Sequence, residues 1–279
     1  LGWLARTYET VVNFPDHQVG WGPFALKAVR NETRDFAPDV VFATAPPFSA
    51  VLAAAIVTRK RHWPLVVEMR DRWSDDPYRE TKGLRGWCER TLERRILARA
   101  AGIVTVSQPW ADAYTQAHGK PSVAVMNGYD PDDIAAARAM AGVPSPTDRL
   151  VIRHVGRIYP GRRDPSPLFA ALAGMPVEAR AQVLVEFIGG ADGIAELAAR
   201  SGVEGSVMTH SPVSHREALR CQMDADIVLL LQWNGAAERG NVPGKLFEYL
   251  ATHRPILGHG DPEGVPAGII SRRDAGLYS

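Results

Sequence analysis

Short apolar runs alternate with longer stretches of helical period along most of the chain. Residues 1–23 carry aromatics, Pro15 and a glycine-rich GWG, with too little periodicity for more than a loop and one short element. Phe24, Ala25, Ala28, Val29 and Phe36 then fall at helical spacing and predict an amphipathic helix over 23–36, stopped by Pro38 and Asp39. Residues 40–43 read as a short buried strand, and TAPPFSAVLAAAI as an apolar helix opened by Thr44 and two prolines. A strand at 65–69 leads through RDRWSDDP to a charged helix over 84–100, and a strand at 103–106 leads to a helix that Ser107 is placed to cap. A strand at 123–126 closes this series, with Asn127 and Gly128 as a turn and Asp130–Asp133 opening an Ala-rich helix.

The segment GVPSPTDR at 142–149 is the clearest linker, and a second alternation follows it. Strands are predicted at 150–155, 183–188, 207–209 and 227–231, with helices at 167–173, 194–201 and 214–223 and a last helix after residue 243. Such alternation argues for right-handed βαβ units and parallel sheets. The expected fold class is α/β, with one lobe over 1–146 and another over 147–279. Lobes of this type facing each other across a cleft take ligands at the carboxyl ends of their strands.

Composition narrows the function. The net charge of +1, from 32 basic and 31 acidic residues, gives no global electrostatic case for nucleic acid. The two cysteines, Cys88 and Cys221, fall in separate helical patterns, as reduced structural thiols of a cytosolic protein do. The longest apolar run, 50–57, is too short to span a bilayer, and no signal peptide is visible. The chain opens without methionine and closes just after a strand-forming run, which predicts segments missing at both ends.

The most informative stretch is GNVPGKLFEYLA, at 240–251. Pro243 suits the first turn of a helix, and Gly244 admits another molecule close to the backbone. Free amides there make an anion site, and Lys245 adds a mobile cation that a bound phosphate would reconcile with the helix dipole. Glu248, at i+3 from Lys245, shares its face and is able to hold a diol. Together these suggest a nucleotide-sugar diphosphate. Periodicity alone favours an ordinary amphipathic helix with Lys245 and Glu248 on the surface and Leu246, Phe247 and Leu250 in the core.

With these motifs placed, the chain resembles the bacterial glycosyltransferases of family 4, which have the GT-B fold of two Rossmann-like lobes. PDVVFATAPP, VVEMRDRW, LERRILARAAGIVTVS, VMNGYD, HVGRIYPGRR, ADIVLLL and VPGKLFEYLATHRPIL follow one another in family order. The resemblance implies a sugar nucleotide bound mainly by the second lobe and an acceptor held mainly by the first. It further implies retention of configuration and no requirement for a metal or other cofactor.

By the same resemblance, Arg157, beside Gly156, contacts the diphosphate, and Arg163 stands where the family usually has lysine. Pro243, Gly244, Lys245 and Leu246 open the donor-binding helix, and Glu248 matches the glutamate that holds the ribose. The family's preceding glutamate falls on Gly240; Glu238 is the nearby substitute. Val213 occupies the position of a backbone contact to the nucleobase, or equally a plain loop. Asp71 falls near a histidine of many relatives that approaches the reacting sugar; a helix cap or ion pair is the comparable alternative.

The implied protein is a glycosyltransferase moving a sugar from a nucleotide-diphosphate sugar to a hydroxyl of a cell-envelope polysaccharide intermediate, with a lipid-linked acceptor among the candidates. A nucleotide-sugar epimerase of the same fold and a degenerate nucleotide-sugar-binding module are the alternatives, the latter kept open by Gly240. The basic segments at 58–63 and 84–100 permit peripheral contact with the inner face of the membrane, although interleaved acidic residues favour a solvated face.

Overall fold

A computed structural model of the chain describes residues 12–79, 83–140, 148–159, 161–190 and 192–279. The chain divides into two compact units, Leu1–Met126 and Asn127–Ser279.

In the first unit, α1 (Gly22–Glu32) precedes β1 (Val41–Ala45), α2 (Phe48–Arg61), β2 (Leu65–Met69), α3 (Gly83–Leu97), β3 (Gly102–Thr105), α4 (Gln108–His118) and β4 (Ser122–Ala124). The four strands form one parallel sheet in sequence order. Helix α2 starts only after the two prolines, with Pro47 extended at the N-cap, because a residue before proline disfavours helical dihedrals. Alternate residues of β2 enter the core beside Phe48 and Trp73, whose rings stack at 4.7 Å.

The second unit contains α5 (Pro131–Ala139), β5 (Leu150–Val155), α6 (Ser166–Ala173), α7 (Val177–Arg180), β6 (Val183–Ile188), α8 (Ile194–Arg200) and β7 (Val207–His210). It continues through α9 (His215–Met223), β8 (Ile227–Leu231), α10 (Gly244–Thr252), β9 (Ile256–His259), α11 (Val265–Arg272) and β10 (Gly276–Tyr278). Its parallel sheet has the order β10-β9-β8-β5-β6-β7. Every residue of β6 is buried, as expected of a strand covered on both faces.

The elements follow the predicted alternation, and three local expectations change. Ser107 does occupy the N-cap of α4, but its buried hydroxyl has no hydrogen-bond partner. Asn127 and Gly128 lie in an irregular connection rather than a tight turn, and the cap that follows is Asp130, whose carboxylate accepts from the Asp132 amide. The expected lobe boundary between 146 and 147 lies outside the described residues. Packing divides the chain earlier, because Ile134 and Ala137 of α5 cluster with Leu219, Met223 and Ala251 of the second unit. Cys88 and Cys221 are free thiols on helices. No helix among the described residues is long and apolar enough to cross a membrane.

The winding of the second sheet reverses between β5 and β8. These two strands pair only at Ile152–Ile227 and Arg153–Val228, whereas β5 pairs with β6 along all six residues. Beyond Arg153 the gap is filled by Tyr249 of α10. Its hydroxyl accepts from the Val155 amide at 3.2 Å and lies 3.3 Å from the Leu229 carbonyl, to which it donates. Tyr249→Phe should therefore lower unfolding stability by about 1–2 kcal/mol, since it leaves a buried amide unpaired. Urea denaturation checks this, and a variant as stable as wild type would remove the tyrosine from the strand junction.

Candidate functional site

The reversal point of an open parallel sheet leaves a crevice at the carboxyl ends of the strands that part there. In the second unit these strands are β5 and β8, and several of the predicted site residues meet at the end of β5.

Gly156 follows β5 with a φ of +114°, a conformation that side chains disfavour. A Cβ added there would lie 2.8 Å from Lys245 Nζ, so the bare backbone is what lets the lysine lie across the strand end. The next residue, Arg157, is exposed, and the Arg163 guanidinium approaches the Arg157 carbonyl at 3.5 Å while lying 4.7 Å from the Tyr159 ring centre. The Arg163 Nε is buried without a partner. Among the described residues neither arginine nor Lys245 forms a salt bridge.

Lys245 reaches this place from the first turn of α10, whose N-cap, Pro243, supplies no side-chain cap. The amides of Gly244 and Lys245 open that turn, and Leu246 is fully buried beneath it as a core residue. Burial, and after it the Arg163 charge, hold the Lys245 amine down to about 7, with Glu248 pulling the other way.

Lys245 Nζ stands 3.4 Å from Nε2 of His154, a fully buried residue of β5. His154 Nδ1 lies 3.0 Å from the Leu229 carbonyl. A carbonyl only accepts, so Nδ1 carries the proton and Nε2 presents its lone pair to the lysine. Burial first, and Lys245 second, keep this imidazole well below its ordinary pKa, against the pull of the Leu229 and Arg157 carbonyls.

The other predicted residues stand apart from this group. Glu248 lies one turn along α10, and its carboxylate is engaged: Oε1 with His215 Nε2 at 3.0 Å and Oε2 with Gln222 Nε2 at 2.9 Å. Glu238 is buried in the loop before α10 and accepts from Asn241 Nδ2 at 2.8 Å, which braces the loop. Val213 is exposed in the connection from β7 to α9. Asp71 belongs to the first unit, exposed just after β2, and makes no salt bridge among the described residues. Crowding by the protein, and after it the Asp76 carboxylate, raise its pKa against the opposing charge of Arg70.

Sequence reasoning missed His154, Tyr249, His215 and Gln222. His154 left one trace, a second polar residue beside Arg153 near the end of a strand predicted to be buried. The partners of Glu248 left none, because they come from α9, about 30 residues away in sequence.

Residues 3–129 match the family model of the glycosyl transferase 4-like domain, so the match covers the first unit. No curated protein matches the chain. Among solved structures, the chain is similar to sucrose-phosphate synthase from Thermosynechococcus elongatus, with a TM-score of 0.68, 15% identity and coverage of 94% of this chain and 65% of that one. It is also similar to WaaG, a glycosyltransferase involved in lipopolysaccharide biosynthesis, with a TM-score of 0.57, 15% identity and coverage of 83% and 68%. A third likeness is α,α-trehalose 6-phosphate synthase from Burkholderia multivorans, with a TM-score of 0.65, 11% identity and coverage of 94% and 64%. The chain thus spans less than two thirds of the first and third of these proteins. At such identities the likeness shows the fold alone, Rossmann-like parallel sheets of the GT-B type.

The lowered pKa of Lys245 has a consequence for stability. The unfolded lysine titrates near its ordinary 10.5 and the folded one at about 7, so between these values the unfolded chain binds the extra proton. Stability therefore rises with pH through this window, as the cost of burying the charge is relieved. Compared with Lys245→Met, wild type should gain stability between pH 7 and 10.5. Parallel stability profiles of the two proteins would show that Lys245 titrates normally.

Proposed function

We propose that this chain, whose first unit carries a glycosyl transferase 4-like domain, moves a sugar from a nucleotide-diphosphate sugar to a hydroxyl acceptor. The observation that carries this reading is the approach of Lys245 and Arg163 to the end of β5, where Arg157 follows in sequence; none of the three has a salt-bridge partner among the described residues. Clustered like charges of this kind call for an anion, and a diphosphate supplies it. The amides at the start of α10 add donors to the same ligand.

As the bond to the anomeric carbon breaks, the carbon becomes cationic and the departing diphosphate gathers negative charge. The two guanidiniums and the lysine stabilise that charge as it develops. The acceptor oxygen then bonds to the anomeric carbon on the face from which the phosphate departs and passes its proton to that phosphate, which retains the anomeric configuration. Because fixed side chains supply the balancing charge, this chemistry has no need of a metal ion.

Glu248 holds the ribose diol after exchanging its bonds to His215 and Gln222, and Asp71 orients the acceptor hydroxyl. The acceptor class is a cell-envelope polysaccharide intermediate, in keeping with the part WaaG takes in lipopolysaccharide biosynthesis. A lipid-linked form of it would bring the protein to the inner face of the membrane.

A thermal-shift screen of the full chain against nucleoside diphosphates and their sugars finds the donor, since a ligand that binds only the folded state raises its apparent stability. With that donor, transfer should persist in excess chelator. Alanine at Arg157, Arg163 or Lys245 should lower kcat more than donor affinity, because the leaving group is more anionic in the transition state. Transfer that stops on chelation contradicts the cradle, and donor interconverted without acceptor would identify an epimerase.

Glu248→Ala should weaken donor binding by about 1.5–3 kcal/mol, the loss of a charge-assisted hydrogen bond. Unchanged calorimetric affinity would leave Glu248 as a tie between α9 and α10. Asp71→Asn should slow turnover and spare donor binding. A collapse of donor affinity, or full activity, would remove Asp71 from the acceptor site.

A further inference from the structure

We propose that His154 is a positioning residue: its Nε2 lone pair holds the Lys245 amine over Gly156, so that an arriving diphosphate meets the third cation already in place. The inference rests on reading this site as a diphosphate cradle, and adds a residue that never touches the diphosphate.

The geometry leaves the second ring nitrogen of His154 little other purpose. It is fully buried near the end of β5, between Arg153, whose guanidinium is paired with Glu186, and the apolar Val155. If its task were only to satisfy the Leu229 carbonyl in the gap between β5 and β8, one nitrogen would suffice, and Tyr249 already donates to that same oxygen. The second nitrogen faces Lys245 Nζ at 3.4 Å. A buried acceptor with no other hydrogen on offer is costly to leave empty, so the imidazole favours the one lysine rotamer that fills it.

The groups around the amine do not supply this restraint themselves. Arg163 repels Nζ, while Glu248 attracts it from one turn along α10 with its carboxylate committed to His215 and Gln222. Arg157 is exposed beyond the strand end. Among the described residues His154 is the only side chain within hydrogen-bond distance of Nζ. Gly156 completes the seat, since any Cβ there would displace the amine.

His154 also stays neutral while it does this. Burial and the adjacent lysine oppose its protonation, so the proton that accompanies an anion goes onto Lys245, whose amine titrates at about 7. Binding of a diphosphate above that pH should therefore take up a proton from solvent, as the anion favours the charged amine.

The test is a double-mutant cycle on the full chain, with inorganic pyrophosphate as the probe. Calorimetry at mildly alkaline pH, in two buffers of different ionisation enthalpy, gives affinity and proton uptake together. Wild type should bind with net proton uptake. His154→Phe keeps the volume and removes the acceptor; it should weaken binding about ten-fold and reduce the uptake. His154→Gln, which offers an amide oxygen, should recover most of both. In a Lys245→Met background, which abolishes the uptake, His154→Phe should have no further effect, because His154 acts only through the lysine.

A His154→Phe variant that binds like wild type overturns the proposal, and so does an equal loss with and without Lys245, which would mark a merely structural histidine. If wild type does not bind pyrophosphate, or Lys245→Met binds it like wild type, the cradle reading itself fails. The positioning role is then decided without ligand, from the side-chain amine NMR signal of Lys245, assigned by its loss in Lys245→Met. A titration midpoint displaced in His154→Phe supports the role, and an unchanged midpoint refutes it.

Discussion

The second unit depends on a single constraint, the parting of β5 from β8 where the winding of the sheet reverses. Strands that part cannot satisfy one another's backbone groups, and burying those groups unpaired would cost about 1–3 kcal/mol each. Tyr249 and His154 close the gap from opposite sides, one from α10 and the other from β5, and both reach the Leu229 carbonyl. The polar filling that makes the fork stable also fixes the start of α10 beside the end of β5. That relation brings Lys245, Gly156 and Arg163 together.

The electrostatics of the site follow from this placement. Lys245 and Arg163 repel each other at this strand end, and no carboxylate among the described residues forms a salt bridge with either of them or with Arg157. The repulsion is eased at Lys245, since a guanidinium keeps its proton in proteins while burial and Arg163 bring the lysine close to losing its own near neutrality. Glu248, the nearest carboxylate on α10, is turned toward His215 and Gln222 and so does not neutralise the cluster. Such a cation excess costs the fold some stability, which a bound anion would return.

Much of this architecture was legible in the sequence because periodicity reports burial. The strands at 150–155, 183–188 and 227–231 read as apolar runs, and β5, β6 and β8 occupy those residues with all but their first positions buried or entirely so. Lys245 drew attention by its place in a first helical turn after Pro243 and Gly244, whereas Arg157 and Arg163 were singled out only by the family resemblance. His154 was not legible, since a histidine in a buried strand carries no sign of which group its second nitrogen faces. The placement of α5 was equally hidden. Its Ile134 and Ala137 announce a buried face, but not that the face packs on α9 and α10 rather than on the elements that precede it. Nor did spacing reveal that Glu248 would already be engaged, because His215 and Gln222 reach it through tertiary packing alone.

The central claim is that the crevice between β5 and β8 is a diphosphate site built from two backbone segments. Hydrogen-exchange mass spectrometry of the full chain, with and without a saturating nucleoside diphosphate, tests it most directly. Slowed exchange is predicted in peptides covering the Gly156–Arg163 turn and the Gly244–Lys245 start of α10, with little change in α6 and α8, which flank the sheet elsewhere. Protection confined to the first unit, or to parts of the second remote from the end of β5, would contradict the account.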